Sequence, residues 1–242
     1  MGGWAAEVGL GVVVLLGSTV QRMAGMGLAL VAVPVLALLI GPAEGVALAN
    51  CASGVVSLIG LAGSWREVRP RAMVALVLAA GATVPAGAWV ADRLSAPALL
   101  IGVGLVVTGA VVVVLAGARA AALRGTGGAV VAGAASGFLN TAAGIGGPPL
   151  SLYAVNAGWT VREFLPNALC YGFLVNVLSV SAKGLPHLTP AGWSFAAVGI
   201  AGGALAGAAL AGRVPERWAR RVVLGIAMAG GLSTLTKGLL GL

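Results

Sequence analysis

The chain has 242 residues, of which 60% are hydrophobic and 8% charged. A soluble domain carries about a quarter charged residues, so this chain could not cover its surface in water and is read as lying mostly in lipid. The net charge of +8 does not mark a nucleic-acid binder, because the basic residues sit in short connections between apolar runs, where the positive-inside rule places them.

An apolar region over 5–40 comes first. No basic n-region precedes it, so it is expected to be a membrane segment rather than a cleaved signal. It is broken near its middle by glycine, with polar residues at the break, Gly17-Ser18-Thr19-Val20-Gln21-Arg22-Met23-Ala24-Gly25-Met26-Gly27. Three apolar runs of spanning length follow, over 44–64, 71–91 and 97–117. A short basic, glycine-containing linker from Arg119 to Gly128 leads to a second interrupted region, 128–158. Its break reads Ser136-Gly137-Phe138-Leu139-Asn140-Thr141-Ala142-Ala143-Gly144-Ile145-Gly146-Gly147-Pro148-Pro149. Three more spanning runs occupy 164–183, 191–211 and 219–240. The expected fold is an all-α polytopic membrane protein.

The two breaks align at an offset of 119, which places Gln21 on Asn140, Gly25 on Gly144, Gly27 on Gly146 and Cys51 on Cys170. With one inserted residue, Ala86-Gly87-Ala88 to Arg93 also aligns with Ala206-Gly207-Ala208 to Arg213. The chain therefore reads as two repeats, 1–120 and 121–242, each a broken segment plus three spanning helices. If each broken segment is a re-entrant hairpin, the halves are inverted, and one face carries ten Lys and Arg residues against three on the other. If each crosses once, the halves run parallel and the count is six or seven against six. The positive-inside rule prefers the inverted arrangement, with both termini in the periplasm. Paired interrupted segments in inverted repeats are a mark of secondary transporters, with the binding site near the bilayer midplane.

Chemistry points to the same place. Unpaired backbone groups in hydrocarbon cost several kcal/mol each, so a helix break must line a protein-covered or wet cavity. The half-helices beginning near Met26 and Pro148 would aim their N-termini inward, where free N–H groups and the helix dipole favour an anion. Arg22 is the one basic residue in an apolar region and is read as an anion contact, with carbonyl capping or snorkelling as the alternative. Gln21, Asn140 and Thr141 are candidate donors beside the glycines Gly25, Gly27, Gly144 and Gly146. Asn50, Ser53, Asn167, Tyr171 and Asn176 either line the cavity or make ordinary interhelical hydrogen bonds, worth about 0.6 kcal/mol. Tryptophans Trp4, Trp65, Trp159, Trp193 and Trp218 fall at segment ends, as interfacial belts require.

The stretch Gly137 to Leu150 together with Gln21 to Gly27 resembles the paired motifs of the TauE/SafE sulfite exporter family, and the resemblance spans the chain. It implies a bacterial inner-membrane carrier of sulfur-containing anions, sulfite or an organosulfonate, driven by the proton gradient. It also implies ligand contact by Gln21, Arg22, Gly25, Gly27, Asn140, Thr141, Gly144 and Gly146. No cofactor or metal is expected. The acidic residues Glu7, Glu44, Glu67, Asp92, Glu163 and Glu216 all lie at segment ends or in loops, and His187, the one histidine, lies in a loop. No protein proton relay is therefore evident, which leaves substrate protonation or facilitated diffusion open. The small-residue faces are compatible with a homodimer. A channel would need polar residues at every depth, an enzyme a catalytic cluster, and an assembly subunit has no use for matched breaks.

Overall fold

The structure, a computed structural model, describes residues 3–115, 124–211, 213 and 216–241. Among these there are ten α-helices, one short 3-10 turn and no strand. The first half comprises α1 (Gly3–Ala24), α2 (Leu28–Ile40), α3 (Pro42–Ala62), α4 (Pro70–Arg93) and α5 (Ala96–Leu115). The second comprises α6 (Gly125–Ala143), α7 (Gly147–Asn156), α8 (Val161–Lys183), α9 (Pro190–Leu210) and α10 (Glu216–Leu240). Seven of these helices, α1, α3, α4, α5, α8, α9 and α10, are long and apolar enough to cross a membrane. The chain is thus an all-α, multi-pass membrane protein, and its outer faces carry exposed Leu78, Val198 and Leu205 where a soluble protein would place polar groups.

The six uninterrupted spans lie within a few residues of their expected bounds. The breaks are narrower than expected. Helix α1 runs on through Gln21 and Arg22 to Ala24, so the first interruption is confined to Gly25–Gly27 and the second to 144–146. Within these helices the hydroxyls are satisfied by bonding back one turn: Thr19 Oγ1 donates to Leu15 O at 2.8 Å and Thr141 Oγ1 to Gly137 O at 3.0 Å. Gly17 lies inside α1 where α2 approaches closely, since a Cβ there would lie 2.9 Å from Leu28 Cγ. The linker residue Arg119 and the aligned Gly212 lie outside the described residues.

Helix α2 folds back along α1. Gly9 faces Leu39, Gly17 faces Leu28 and Ala32, and Gly27 faces Val20, which is an antiparallel register. Thirteen residues rise only about 20 Å, short of the roughly 30 Å hydrocarbon core of a bilayer. The second break is tied back in a similar way, with Ser136 Oγ donating to Gly146 O at 2.6 Å.

Each hairpin packs on the opposite half: α1 lies along α9, and α6 along α4. The contacts recur at the sequence offset. A Cβ on Gly87 would meet Phe138 O at 2.7 Å and Thr141 Cβ at 3.1 Å; one on Gly207 would meet Thr19 O at 2.7 Å and Arg22 Cβ at 2.6 Å. Glycine at these two sites lets the helices approach backbone to backbone.

Polar contacts tie the helix ends together. At one end Thr189 Oγ1 donates to Glu7 Oε1 at 2.6 Å and the His187 N–H donates to Glu44 Oε2 at 2.7 Å. At the other, Arg69 pairs with Glu163, and Arg162 with Glu67 at 3.9 Å. Glu163 also closes a capping box with Thr160 that starts α8.

Candidate functional site

Both breaks begin on a glycine in the left-handed region. Gly25 has φ +78° and Gly144 φ +74°, a conformation that a Cβ penalises by roughly 1–2 kcal/mol. Each closes the preceding helix: Gly25 N–H donates to Gln21 O at 2.7 Å, and Gly144 N–H to Asn140 O at 2.9 Å. The two tips touch through Met26, whose sulfur accepts from Ser151 Oγ at 3.1 Å.

Between the tips lies a cavity of about 60 Å³. The end of α1 and the first break supply Gln21, Gly25 and Gly27, and the end of α6 and the second break supply Asn140, Gly144 and Gly146. Helix α3 adds Ser53 and Ser57, and α8 adds Tyr171 and Asn176. The start of α2 at Ala29 and of α7 at Gly147 also border it, so two half-helix N-termini face the same space.

Two amides organise the walls. Gln21 Nε2 donates to Ser53 O at 2.8 Å and Ser57 Oγ at 2.9 Å. Asn140 Nδ2 donates to Asn176 Oδ1 at 3.1 Å and Ser179 Oγ at 3.0 Å. Their carbonyl oxygens have no side-chain donor at these contacts, and both residues are buried. Tyr171 is 3% exposed, with its ring bordering the cavity and its hydroxyl fully buried.

Of the residues singled out from sequence, nine border the cavity: Gln21, Gly25, Gly27, Asn140, Gly144, Gly146, Ser53, Tyr171 and Asn176. Four do not. Arg22 lies one position past Gln21, about 100° round the helix, and lays its stem against Gly207 of α9. Thr141, its counterpart at the repeat offset, lies against Gly87 of α4 and bonds Ser179 Oγ at 2.8 Å. Asn50 donates to Asn140 O at 3.3 Å from behind the wall. Asn167 is held at the helix end, accepting from Arg69 N–H at 2.9 Å and donating to Glu163 O at 2.8 Å.

Sequence reasoning passed over Ser57, Ser136 and Met26 as lining residues. Ser57 carried a readable signal, since it sits one helical turn beyond Ser53. The cysteines Cys51 and Cys170 are free and half-buried. A Cβ at Gly144 would lie 2.8 Å from Val33 Cγ2 and 3.6 Å from Val46 Cγ1.

A family model described as "Sulfite exporter TauE/SafE" matches residues 10–234. No curated protein and no solved structure matches the chain.

Proposed function

The chain belongs to the sulfite exporter TauE/SafE family, a family of sulfur-anion membrane transporters, and from that premise we propose that it is a secondary transporter, working as an exporter in a bacterial inner membrane, whose substrate is sulfite or a small organosulfonate. The observation that carries the reading is the cavity between the two helix breaks. It is walled by amides, hydroxyls and glycine backbone, and it collects the N-termini of α2 and α7. Such ends favour an anion, and a carboxylate in the wall would oppose one.

The site residues are then Gln21, Gly25, Gly27, Asn140, Gly144 and Gly146, with Ser53, Ser57, Tyr171 and Asn176 around them. Arg22 and Thr141 act through packing on α9 and α4. The halves are read as inverted repeats about this cavity. Two features support that reading: the loop charge of ten against three, and the ion pairs Arg69–Glu163 and Arg162–Glu67, which join the α3–α4 and α7–α8 connections at one end.

The test is reconstitution of the purified chain with sulfite, sulfoacetate, taurine, sulfate and chloride presented in turn, recording anion-induced charge movement. A saturable signal with sulfite or a sulfonate supports the reading. Unitary currents would turn the carrier into a channel, and silence with every sulfur anion would remove the substrate class.

A further inference from the structure

We propose that the cavity between the helix breaks binds a small monovalent cation of the alkali class, such as Na⁺, and that the side-chain carbonyl oxygens of Gln21 and Asn140 are its ligands from the two halves.

The orientation of the two amides carries the inference. Gln21 Nε2 donates to Ser53 O at 2.8 Å and to Ser57 Oγ at 2.9 Å. A backbone carbonyl can only accept, so nitrogen is the arm that meets Ser53 and Oε1 is the other. At Asn140 the neighbours fix the same sense. Asn176 commits its own Nδ2 to Gly172 O at 2.7 Å, which leaves its Oδ1 to meet Asn140 Nδ2 at 3.1 Å. Thr141 gives its hydroxyl hydrogen to Gly137 O at 3.0 Å, so Ser179 is the donor at their 2.8 Å contact and its oxygen accepts from Asn140 Nδ2 at 3.0 Å. Turning either amide over would set oxygen against oxygen.

Both hydrogens of each amide nitrogen are therefore spent. What remains of Gln21 and of Asn140 is one carbonyl oxygen apiece, and no donor among the described residues reaches either. Gln21 is 4% exposed, Asn140 is 6% exposed, and both border the cavity. A buried acceptor without a donor is costly, and a bound cation would satisfy the two together. A glycine keeps the room beside one of them. A Cβ on Gly146 would lie 3.0 Å from Asn140 Oδ1 and 2.9 Å from Ser136 Oγ. Gly146 has φ −91°, so its backbone conformation does not call for glycine, whereas the space beside Asn140 Oδ1 does.

The rest of the wall sets the charge of the ion. Ser53, Ser57 and Ser136 add neutral hydroxyl oxygens, and among the described residues no Asp, Glu, Lys, Arg or His borders the cavity. Calcium and magnesium sites draw on carboxylates, and no group of His, Cys, Asp and Glu among the described residues could hold a metal ion in their manner. Neutral carbonyl and hydroxyl oxygens suit an alkali cation. The helix ends leave this choice to the side chains, because α1 and α6 bring C-terminal ends to the cavity while α2 and α7 bring N-terminal ones.

The experiment is equilibrium binding of radiolabelled Na⁺ to the purified full chain in detergent, in choline buffer with no sulfur anion present. Wild type should bind Na⁺ saturably, with displacement by unlabelled Na⁺ and none by added choline, and Na⁺ should raise its unfolding temperature. Gly146→Ala leaves both amides in place and fills the space beside Asn140 Oδ1; it should weaken Na⁺ binding at least about tenfold. Gln21→Met keeps the length of the side chain without its oxygen and should abolish the thermal response to Na⁺. No saturable binding by wild type, or equal displacement by choline, overturns the proposal and leaves both oxygens to water. A monodisperse Gly146→Ala chain with wild-type Na⁺ affinity removes Asn140 as a ligand and overturns the paired site. The wild-type measurement stands whether or not a variant folds. Failure here leaves the anion reading untouched, and silence of every sulfur anion in flux leaves this site standing.

Discussion

Gln21 and Asn140, 119 residues apart, make the same contact: each sends its side-chain amide 36 positions down the chain, to Ser57 at 2.9 Å and to Asn176 at 3.1 Å. The two bonds join each hairpin to the long helix behind it, α1 to α3 and α6 to α8. They hold the helix breaks in register with the walls, and so define the depth of the cavity.

Asn140→Asp is nearly isosteric but reverses the chemistry. The carboxylate cannot donate to Asn176 Oδ1 or Ser179 Oγ and adds a negative charge to a cavity read as anionophilic. Anion flux is expected to fall at least about a hundredfold, a change of roughly 2.7 kcal/mol. Asn140→Ala should lose stability as well, by about 1–3 kcal/mol for the stranded partners. Flux assays and thermal unfolding in detergent separate the two effects.

Arg22→Ala is expected to keep the anion KM within about threefold, because its stem packs on Gly207 and it does not border the cavity. A larger loss of affinity would mean that the guanidinium reaches the ligand in another conformation.

Gly25→Ala and Gly144→Ala should each destabilise the chain. Both sites have positive φ, and the new Cβ would lie 2.7 Å from Leu165 Cδ1 or 2.8 Å from Val33 Cγ2. Strain and overpacking together amount to about 2–4 kcal/mol. A lowered unfolding temperature with loss of flux is the expected outcome; unchanged thermal stability would show that the tips reshape freely.

Gly87→Val and Gly207→Val test the repeat contact itself. Each places a side chain against backbone at 2.7 Å, Phe138 O in one case and Thr19 O in the other. Matched losses of about 1–3 kcal/mol are expected, read by the same unfolding measurement. A loss at one site alone would mean that the two hairpins are not held equivalently.

Single cysteines at Arg124 and Arg162, introduced after Cys51→Ala and Cys170→Ala, should react with an impermeant thiol reagent from the cytoplasmic side. A cysteine at Thr189 should react from the periplasmic side. Labelling of the Arg124 and Arg162 variants from opposite sides would reject inverted halves.

Much of this molecule is legible in its residues. Six spans, two interrupted segments and the pairing of Gly25 with Gly144 follow from apolar length, glycine spacing and an offset of 119, because the bilayer demands long apolar helices and a break inside it demands small residues. The identity of the lining followed only in part. Gln21 and Arg22 are neighbours in sequence, yet one faces the cavity and the other faces α9, and that division needs to know that α1 stays helical to Ala24 and which side α9 covers. Asn167 and Tyr171 are one helical turn apart, yet Asn167 is spent on the Arg69 N–H at the helix end while Tyr171 borders the cavity. Composition and spacing decide which groups enter the membrane; packing between distant helices decides which of them are already satisfied and which are left to meet a ligand.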